Sequence, residues 1–515
     1  MTIIVKPASV LLMLLLLTVL LFSATFQTCH AKRNHGHKKH HHHHHHHHIT
    51  IKKITETKAG NHQLWNQNHQ LQNQNPNRNH QLRNQNPNPN RNQNHQLRNQ
   101  NPNPNRNQNH QLRNQNQSRS QSQKHLLVEK TFSTSWTSER KAMEKEMTAF
   151  LATWEKACKG KESKILVPSK STFLVGPISF NGRSCQPNIV FQVDGIIMAP
   201  TSKKSWGSSG LLQWINFRHH KGITIQGNGT IEGQGGAWWR KSSMPHTKPT
   251  ALRFYGSSGV TVTGIKMQNS PKCHLKFDDC DGVDVHAVTV TSPGDSPNTD
   301  GIHLQNSKNV LLHHNKLSCG DDCISIQTGC RNIHIHHVNC GPGHGISIGG
   351  LGKDNSKACV SNVTVENVVL RGTMTGVRIK TWQGGSGSVR NVKFSNIDVS
   401  EVKVPIMINQ FYCDKKKPCK IQNKGVAVSG ISYENIKGTF TKEPIHLACS
   451  KSVPCLGLTL SAIDLQPSKG AKKTIPPFCS NSYGLSYSPI DQPLDCLQMG
   501  KPPKDNLTEP DLGSC

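Results

Sequence analysis

The sequence predicts a parallel β-helix, an all-β solenoid of short coils, and three observations carry that prediction. First, from Ile165 onward a Gly or Asn repeatedly opens an apolar/other/apolar alternation. Gly222-Ile-Thr-Ile-Gln226, Gly282-Val-Asp-Val-His286 and Asn332-Ile-His-Ile-His336 are examples. The period of two marks half-buried strands, and the opening residue suits a tight turn. Second, the phrases Asn298 to Gln305, Gly320 to Gln327 and Pro342 to Gly349 follow one another at 22-residue steps. Three short strands fit a coil of about 22–30 residues. Third, helical periodicity is nearly absent after residue 160. A β-propeller would need blades of about 40–50 residues with their own motifs, which this chain lacks.

Residues 1–31 read as a secretory signal. Lys6 supplies the positive end, and the apolar run Leu11 to Phe22 is too short for a comfortable membrane span. Cys29-His-Ala31 is an acceptable cleavage site. No later run is long enough for a transmembrane helix, so a soluble, secreted protein with no membrane partner is expected. Cleavage removes one of the 17 cysteines and leaves an even 16, as an oxidised extracellular protein would prefer. No paired C-x2-C units stand at zinc-ribbon spacing, so no metal site is expected from the cysteines.

Residues 32–124 form a basic tail. It contains nine consecutive histidines, His40 to His48, able to bind transition metals non-specifically. From Asn61 the composition falls to Asn, Gln, Pro, Arg and His, and His80 to Asn94 recurs unchanged as His95 to Asn109. Each copy of this 15-residue block offers one Leu to bury, so it reads as a disordered tail and not as a solenoid. The formal net charge is +31; without the signal and tail, 45 basic face 29 acidic residues. A polyanionic partner is implied. With a secretory signal, that partner is expected to be an acidic polysaccharide and not nucleic acid. The tail could anchor to such a polymer more tightly as its histidines protonate, or serve as an inert spacer.

The folded domain is expected over residues 125–515. Ala142 to Cys158 reads as an amphipathic helix, with Met143, Met147, Phe150, Leu151 and Trp154 at spacings of three and four. Such a helix would cap the open end of the first coil. The coils follow, and Phe440 to Cys515, richer in Pro and Cys, reads as a stapled cap over the last one.

The 22-residue step puts Asp300, Asp322 and His344 in one column of successive coils. Arg378 shares a column with His303, Ser325 and Ser347. Lys380 shares one with Gln305, Gln327 and Gly349. Asp321 stands one residue to the side of Asp322. Carboxylates, an imidazole and two cations on one face make a candidate catalytic arrangement.

The phrases Asn298-Thr-Asp300, Gly320-Asp-Asp322, Cys340-Gly-Pro-Gly-His-Gly345 and Arg378-Ile-Lys380, in this order and spacing, resemble the polygalacturonases. These are pectin-cleaving enzymes of glycoside hydrolase family 28. The likeness is closest to plant secreted forms, through Gly-Ile-His-Leu-Gln, Cys-Ile-Ser-Ile-Gln-Thr-Gly-Cys and Asn409-Gln-Phe-Tyr-Cys413, and covers roughly Ile165 to Cys515. It implies a right-handed parallel β-helix. It implies Asp321 as general acid, Asp300 and Asp322 as the pair that activates water, and His344 as the residue that orients the acid. It implies Arg378 and Lys380 as carboxylate-binding groups at the cleavage site, with Tyr412 and Asn298 also at the substrate. It further implies a Cys323–Cys340 disulfide. No metal or organic cofactor is expected.

The chemistry agrees with these roles. Glycoside hydrolysis needs a protonated carboxyl for the leaving oxygen and a carboxylate for the water or the sugar. Adjacent coils lie about 4.8 Å apart, so Asp300 and Asp322 can hold a water between them. Inversion follows if acid and base stand roughly 6.5–9.5 Å apart. Clustered like charges should raise one carboxyl and keep an acid protonated. Arg378 can grip a galacturonate carboxylate bidentately, and Lys380 adds a point charge.

Other residues are expected to be structural. Asp278-Asp279 is assigned to a turn, His303 to a rung near the site, and His313, His314, His334, His336 and His337 to surface rungs. Trp238-Trp239 is expected to pack under a loop. Sequons at Asn116, Asn228, Asn362 and Asn506 permit glycosylation. Two departures from the family stand out: Gly350 replaces a usual Ser, and Val128 to Met147 lacks the Gly/Asp-rich turn that precedes the capping helix. The expected activity is hydrolysis of α-1,4-linked galacturonan by a monomer. The rivals are a hydrolase of decorated pectin (xylogalacturonan or rhamnogalacturonan) and a non-catalytic pectin-binding wall protein.

Overall fold

The computed structural model describes residues 125–127, 136–206, 213–240, 247–414, 419–471, 473–490, 494–502 and 515. The expected signal, the tail, and the sequons at Asn116 and Asn506 lie outside them.

The described chain winds as a parallel β-helix. One sheet of eleven strands runs from Ile178–Asn181 to Phe478–Ser480, each strand pairing in parallel with its counterpart one coil on. A second sheet of 20 strands supplies the remaining sides of the coils. In it Asp281–His286 leads through a bend at Ala287 (φ 54°) into Thr289–Thr291.

Register in the eleven-stranded sheet is strict. Leu252, Leu275, Ile302, Ile324, Ile346, Val377, Ile406 and Ile445 pair in succession. Each is at most 1% exposed. They form one inward row, and each contributes about 1.5–3 kcal/mol by leaving water. Near the N-terminal end the row beside it is aromatic. Phe217, Phe254 and Phe277 stack with centroids 5.4 and 5.2 Å apart. A one-residue slip would turn every such side chain outward, so burial itself fixes the register.

Asparagines mark the bends. Asn309, Asn332, Asn362 and Asn391 all sit at φ between 54° and 56°, a left-handed conformation that Asn tolerates better than most residues. Their amides form a ladder. Asn332 Nδ2 donates to Asn309 Oδ1 at 3.0 Å, Asn362 to Asn332 at 3.2 Å, and Asn391 to Asn362 at 3.3 Å.

A helix over Trp136–Lys159 caps the first coil, starting six residues before the expected Ala142. Phe150 and Trp154 drive into the aromatic rows, Phe150 against Phe173 and Phe191, Trp154 against Phe180 and Phe217. Leu151, expected on the packed face, is 38% exposed; the helix inserts through Met143, Phe150, Trp154 and Ala157. The Cys158–Cys185 disulfide ties its C-terminal end to the coil beneath. A short strand, His125–Leu127, precedes the helix and pairs in parallel with Lys164–Val167. The missing Gly/Asp-rich turn therefore does not deprive the first coil of an added strand.

Complete cysteine pairing is not observed. Among the described residues six disulfides form, including Cys323–Cys340, and Cys449–Cys455, Cys479–Cys496 and Cys359–Cys515 staple the C-terminal part. Cys273, Cys280, Cys319 and Cys330 remain thiols, all buried. An even count does not require pairing, because a buried thiol packs as a small apolar side chain.

Candidate active site

The site stands on the outer side of the eleven-stranded sheet, where Ile302–Gln305, Ile324–Ile326, Ile346–Leu351 and Thr375–Thr381 lie side by side. The pairing of Ile302, Ile324 and Ile346 puts Asp300, Asp322 and His344 at one level, two residues before each strand residue. The expected second column is also present, with His303, Ser325, Ser347 and Arg378 in register. Gly320 makes the Asp-Asp corner possible. A Cβ there would lie 1.9 Å from the Ser296 carbonyl oxygen.

Asp322 is the most enclosed carboxylate of the site, 2% exposed. Arg378 Nη2 donates to its Oδ1 at 2.6 Å, and Lys380 Nζ to its Oδ2 at 2.9 Å. Ser347 Oγ adds a hydrogen bond to Oδ1 at 2.8 Å and accepts one from Arg378 Nε at 3.0 Å. The two cations are 5% and 6% exposed. A free carboxylate grip for Arg378 and Lys380 is thus not the resting arrangement. Both are already seated on Asp322, and the trio carries one positive charge in excess.

Asp321 faces the other way, as expected. His344 Nδ1 meets its Oδ1 at 2.9 Å, and Asn298 Nδ2 donates to its Oδ2 at 3.1 Å. The Asp321 carbonyl also accepts the His344 backbone N–H at 2.7 Å. Burial pulls the Asp321 carboxyl upward. The hydrogen bond and charge of His344, with Lys380 and Asn298, outweigh it and bring the pKa down to about 2.

Asp300 behaves oppositely. Burial raises its carboxyl and the charges on Asp321 and Asp322 add to the rise, while a hydrogen bond with His303 Nδ1 at 2.9 Å opposes it. The expectation of one raised carboxyl holds, but the raised group is Asp300, not the intended acid Asp321. Each carboxyl has an imidazole partner, but at Asp300 burial, with the charges of Asp321 and Asp322 added, outweighs His303, whereas at Asp321 Lys380 and Asn298 join His344 and outweigh burial.

Beneath Asp300, His274 is fully buried. Its Nδ1 lies 2.8 Å from the Asp300 carbonyl and its Nε2 2.8 Å from Ser292 Oγ. Burial lowers its pKa to about 4, so the ring supports the corner without charge.

Tyr412 lies at the rim with Lys380 Nζ 5.3 Å from its ring centroid, and Trp382 packs edge-on against it. Gly350 decides this contact. A Cβ there would come within 2.9 Å of both Trp382 Nε1 and Tyr412 Cδ1. The departure from Ser makes room for the two aromatic rings.

Oxygen and nitrogen atoms of Asp321, Asp322 and His344 lie within 4.8 Å of one another, a spacing that can hold a cation. Both Asp322 oxygens are occupied by Arg378 and Lys380, so a metal there would have to displace two buried positive charges.

The other expectations divide. Trp238 is 1% exposed and packs against Trp206. Asp279 sits in a turn at φ 57°. Asp278 does not: it ends the strand Leu275–Asp278 and pairs with Arg253 at 2.5 Å. Asn228 and Asn362 are exposed. His303, expected as a rung residue, and Ser347, expected only as a column mate, reach Asp300 and Asp322. The signal was present, since both share the column of Arg378.

Residues 158–481 match the model of glycosyl hydrolases family 28. A polygalacturonase of Cryptomeria japonica is 43% identical over 332 residues, covering 62% of this chain and 64% of the relative. A probable polygalacturonase of Arabidopsis thaliana is 39% identical over 357 residues, 68% of this chain and 80% of the relative. Among solved structures, a polygalacturonase of Erwinia carotovora superposes with a TM-score of 0.54 at 24% identity, over 70% of this chain and 98% of that one. An endo-xylogalacturonan hydrolase of Aspergillus tubingensis gives 0.58 at 21%, over 65% and 92%. These two superpositions establish the β-helix fold.

Proposed function

The chain belongs to the glycosyl hydrolases family 28, and from that premise we propose that it hydrolyses the α-1,4-galacturonosyl links of homogalacturonan with inversion. The observation that carries this reading is the Arg378–Asp322–Lys380 cluster. Two buried cations on one carboxylate leave a positive excess beside Asp321. Asp321 balances that charge while ionised; once it takes up a proton, a galacturonate carboxylate supplies the negative charge, and a neutral sugar does not.

Asp321 is the general acid. His344 Nδ1 contacts the Asp321 carboxyl across 2.9 Å and orients it. A polyanionic substrate that covers the site shields it from water and favours the neutral carboxyl, and the proton then passes to the leaving oxygen. Asp322, held by three donors, and Asp300, positioned by His303, orient and deprotonate the attacking water. Asn298 fixes the second Asp321 oxygen, and Tyr412 borders the sugar bound near Lys380.

The relatives are plant polygalacturonases, and among the described residues no helix is long and apolar enough to cross a membrane. Secretion to the cell wall fits the leading apolar segment, and the basic segment 32–124 then acts as an anchor on anionic polymer. Deleting it is expected to weaken pectin binding at mildly acidic pH. Unchanged binding removes the anchor role.

The function is tested with purified protein on polygalacturonate. Release of reducing ends with no ultraviolet-absorbing unsaturated product, and a β-anomer as first product by NMR, are expected. An unsaturated product, a retained anomer, or cleavage confined to a decorated pectin overturns the reading.

A further inference from the structure

Away from the groove, the twenty-stranded sheet carries a cluster of histidines on its outer face. Asp284 and His286 stand two residues apart on the strand Asp281–His286, so their side chains emerge on the same side. His313, on the next coil, pairs in register with His286. The two imidazoles stack, with centroids 4.8 Å apart and 20° between planes. Their nitrogens turn toward one oxygen. His286 Nδ1 lies 3.1 Å and His313 Nε2 3.2 Å from Asp284 Oδ1.

We propose that Asp284, His286 and His313 form a binding site for a divalent transition-metal ion of the zinc type, bridging two adjacent coils. The ligand atoms all lie within 4.8 Å of one another. A tetrahedral ion with bonds of about 2.0–2.1 Å spaces its ligands roughly 3.3 Å apart, close to the separations observed. Two imidazoles and a carboxylate suit zinc, copper or nickel in preference to magnesium or calcium, which favour all-oxygen sites.

The surroundings supply the support such a ligand set needs. His313 Nδ1 lies 2.8 Å from His314 Nδ1. With that contact made through the Nδ1 proton, Nε2 presents its lone pair to the ion, as an outer hydrogen bond commonly fixes a ligating imidazole. All three residues are partly exposed, their side chains retaining 39%, 32% and 22% of their accessible surface, so an ion reaches them from solvent and a water can complete the shell. The ion would join neighbouring coils at a place where no disulfide does so among the described residues.

The nine-histidine run of the tail is also able to bind such ions, so total metal content cannot decide the matter. The test is site-resolved. The full chain, stripped with a chelator, is treated with diethyl pyrocarbonate with and without zinc chloride, and acylation is read at each histidine by peptide mass spectrometry. Zinc is expected to slow modification of His286 and His313 several-fold and to leave His446, on the other sheet, unchanged. In Asp284→Asn the protection at both histidines should fall away, and in His313→Ala the protection of His286 should be lost, with hydrolytic activity retained in both as the check on folding. Equal modification with and without zinc overturns the proposal. So does protection that survives Asp284→Asn, because the cluster is then only a hydrogen-bonded patch.

Discussion

His303 Nδ1 lies 2.9 Å from Asp300 Oδ2, and this contact is the main force holding the Asp300 carboxyl down against its burial. His303 acts through Asp300 and is therefore a positioning residue. His303→Ala should raise the Asp300 pKa further and move the acidic limb of the kcat/KM profile to higher pH. A loss of roughly tenfold or more at acidic pH, shrinking as pH rises, is expected from general-base behaviour. His303→Asn, which keeps one donor, should recover part of it. A uniform loss at every pH would mean that His303 serves packing alone.

Asp321 and Asp322 should separate cleanly under substitution. Asp321→Asn removes the acid, and a fall of about 10²–10⁴-fold in kcat is expected with the melting temperature nearly unchanged. Asp322→Asn leaves Arg378 and Lys380 buried without their carboxylate. Breaking a buried pair in this way costs about 3–5 kcal/mol. Calorimetry should therefore show a marked drop in melting temperature for Asp322→Asn and little for Asp321→Asn. Equal drops would contradict the buried cation cluster.

Gly350→Ser restores the residue usual in the family and should do harm here. Its Cβ meets Trp382 and Tyr412, so the rings must shift. With Tyr412 proposed to border the sugar beside Lys380, KM should rise several-fold with kcat largely kept. Activity on a long polymer and on a short oligogalacturonide, compared side by side, would show the change. An unaltered KM for both would free Tyr412 from any substrate role.

Two buried histidines set a pH limit on stability. His274 and His220 are each lowered from 6.5 to about 4, both chiefly by burial. Below pH 6.5 the unfolded chain binds protons that the folded one refuses, so their contribution is present above 6.5 and is lost as pH falls toward 4. Each can remove up to about 1.4 kcal/mol per pH unit. Asp300 works the other way, since its raised carboxyl takes up a proton more readily when folded. Denaturant unfolding between pH 7 and 4 should show a net loss smaller than two full histidines, and His274→Gln should flatten it.

The columns of the site were legible because a solenoid converts spacing into position. Once Asp300, Asp322 and His344 stood 22 residues apart, their alignment followed from coil geometry, and the strand registers agree with it. The pairing between columns was not legible. Whether Arg378 points to solvent or to Asp322 depends on rotamers and on Ser347 between them, and no spacing encodes that. The protonation order was hidden for the same reason, because it rests on His303 reaching Asp300 and His344 reaching Asp321. Leu151 misled because its helical spacing fits two faces, and only the aromatic rows beneath decide which one inserts. The first strand, His125–Leu127, was missed because three residues are too few for periodicity to register.

The coil lengths have a consequence for how this chain tolerates change. Counted between paired inward residues, the steps are 27 residues from Leu275 to Ile302, 22 to Ile324, 22 to Ile346, then 31, 29 and 39. The two shortest turns carry Asp321, Asp322 and His344 and begin just past Asp300, and nothing can be removed from them without pulling a strand out of line. The longer turns hold surplus chain at their corners, which can lengthen or shorten while the strands stay in step. A lineage can therefore remodel the walls of the groove by insertion and deletion while the reacting groups change only by substitution.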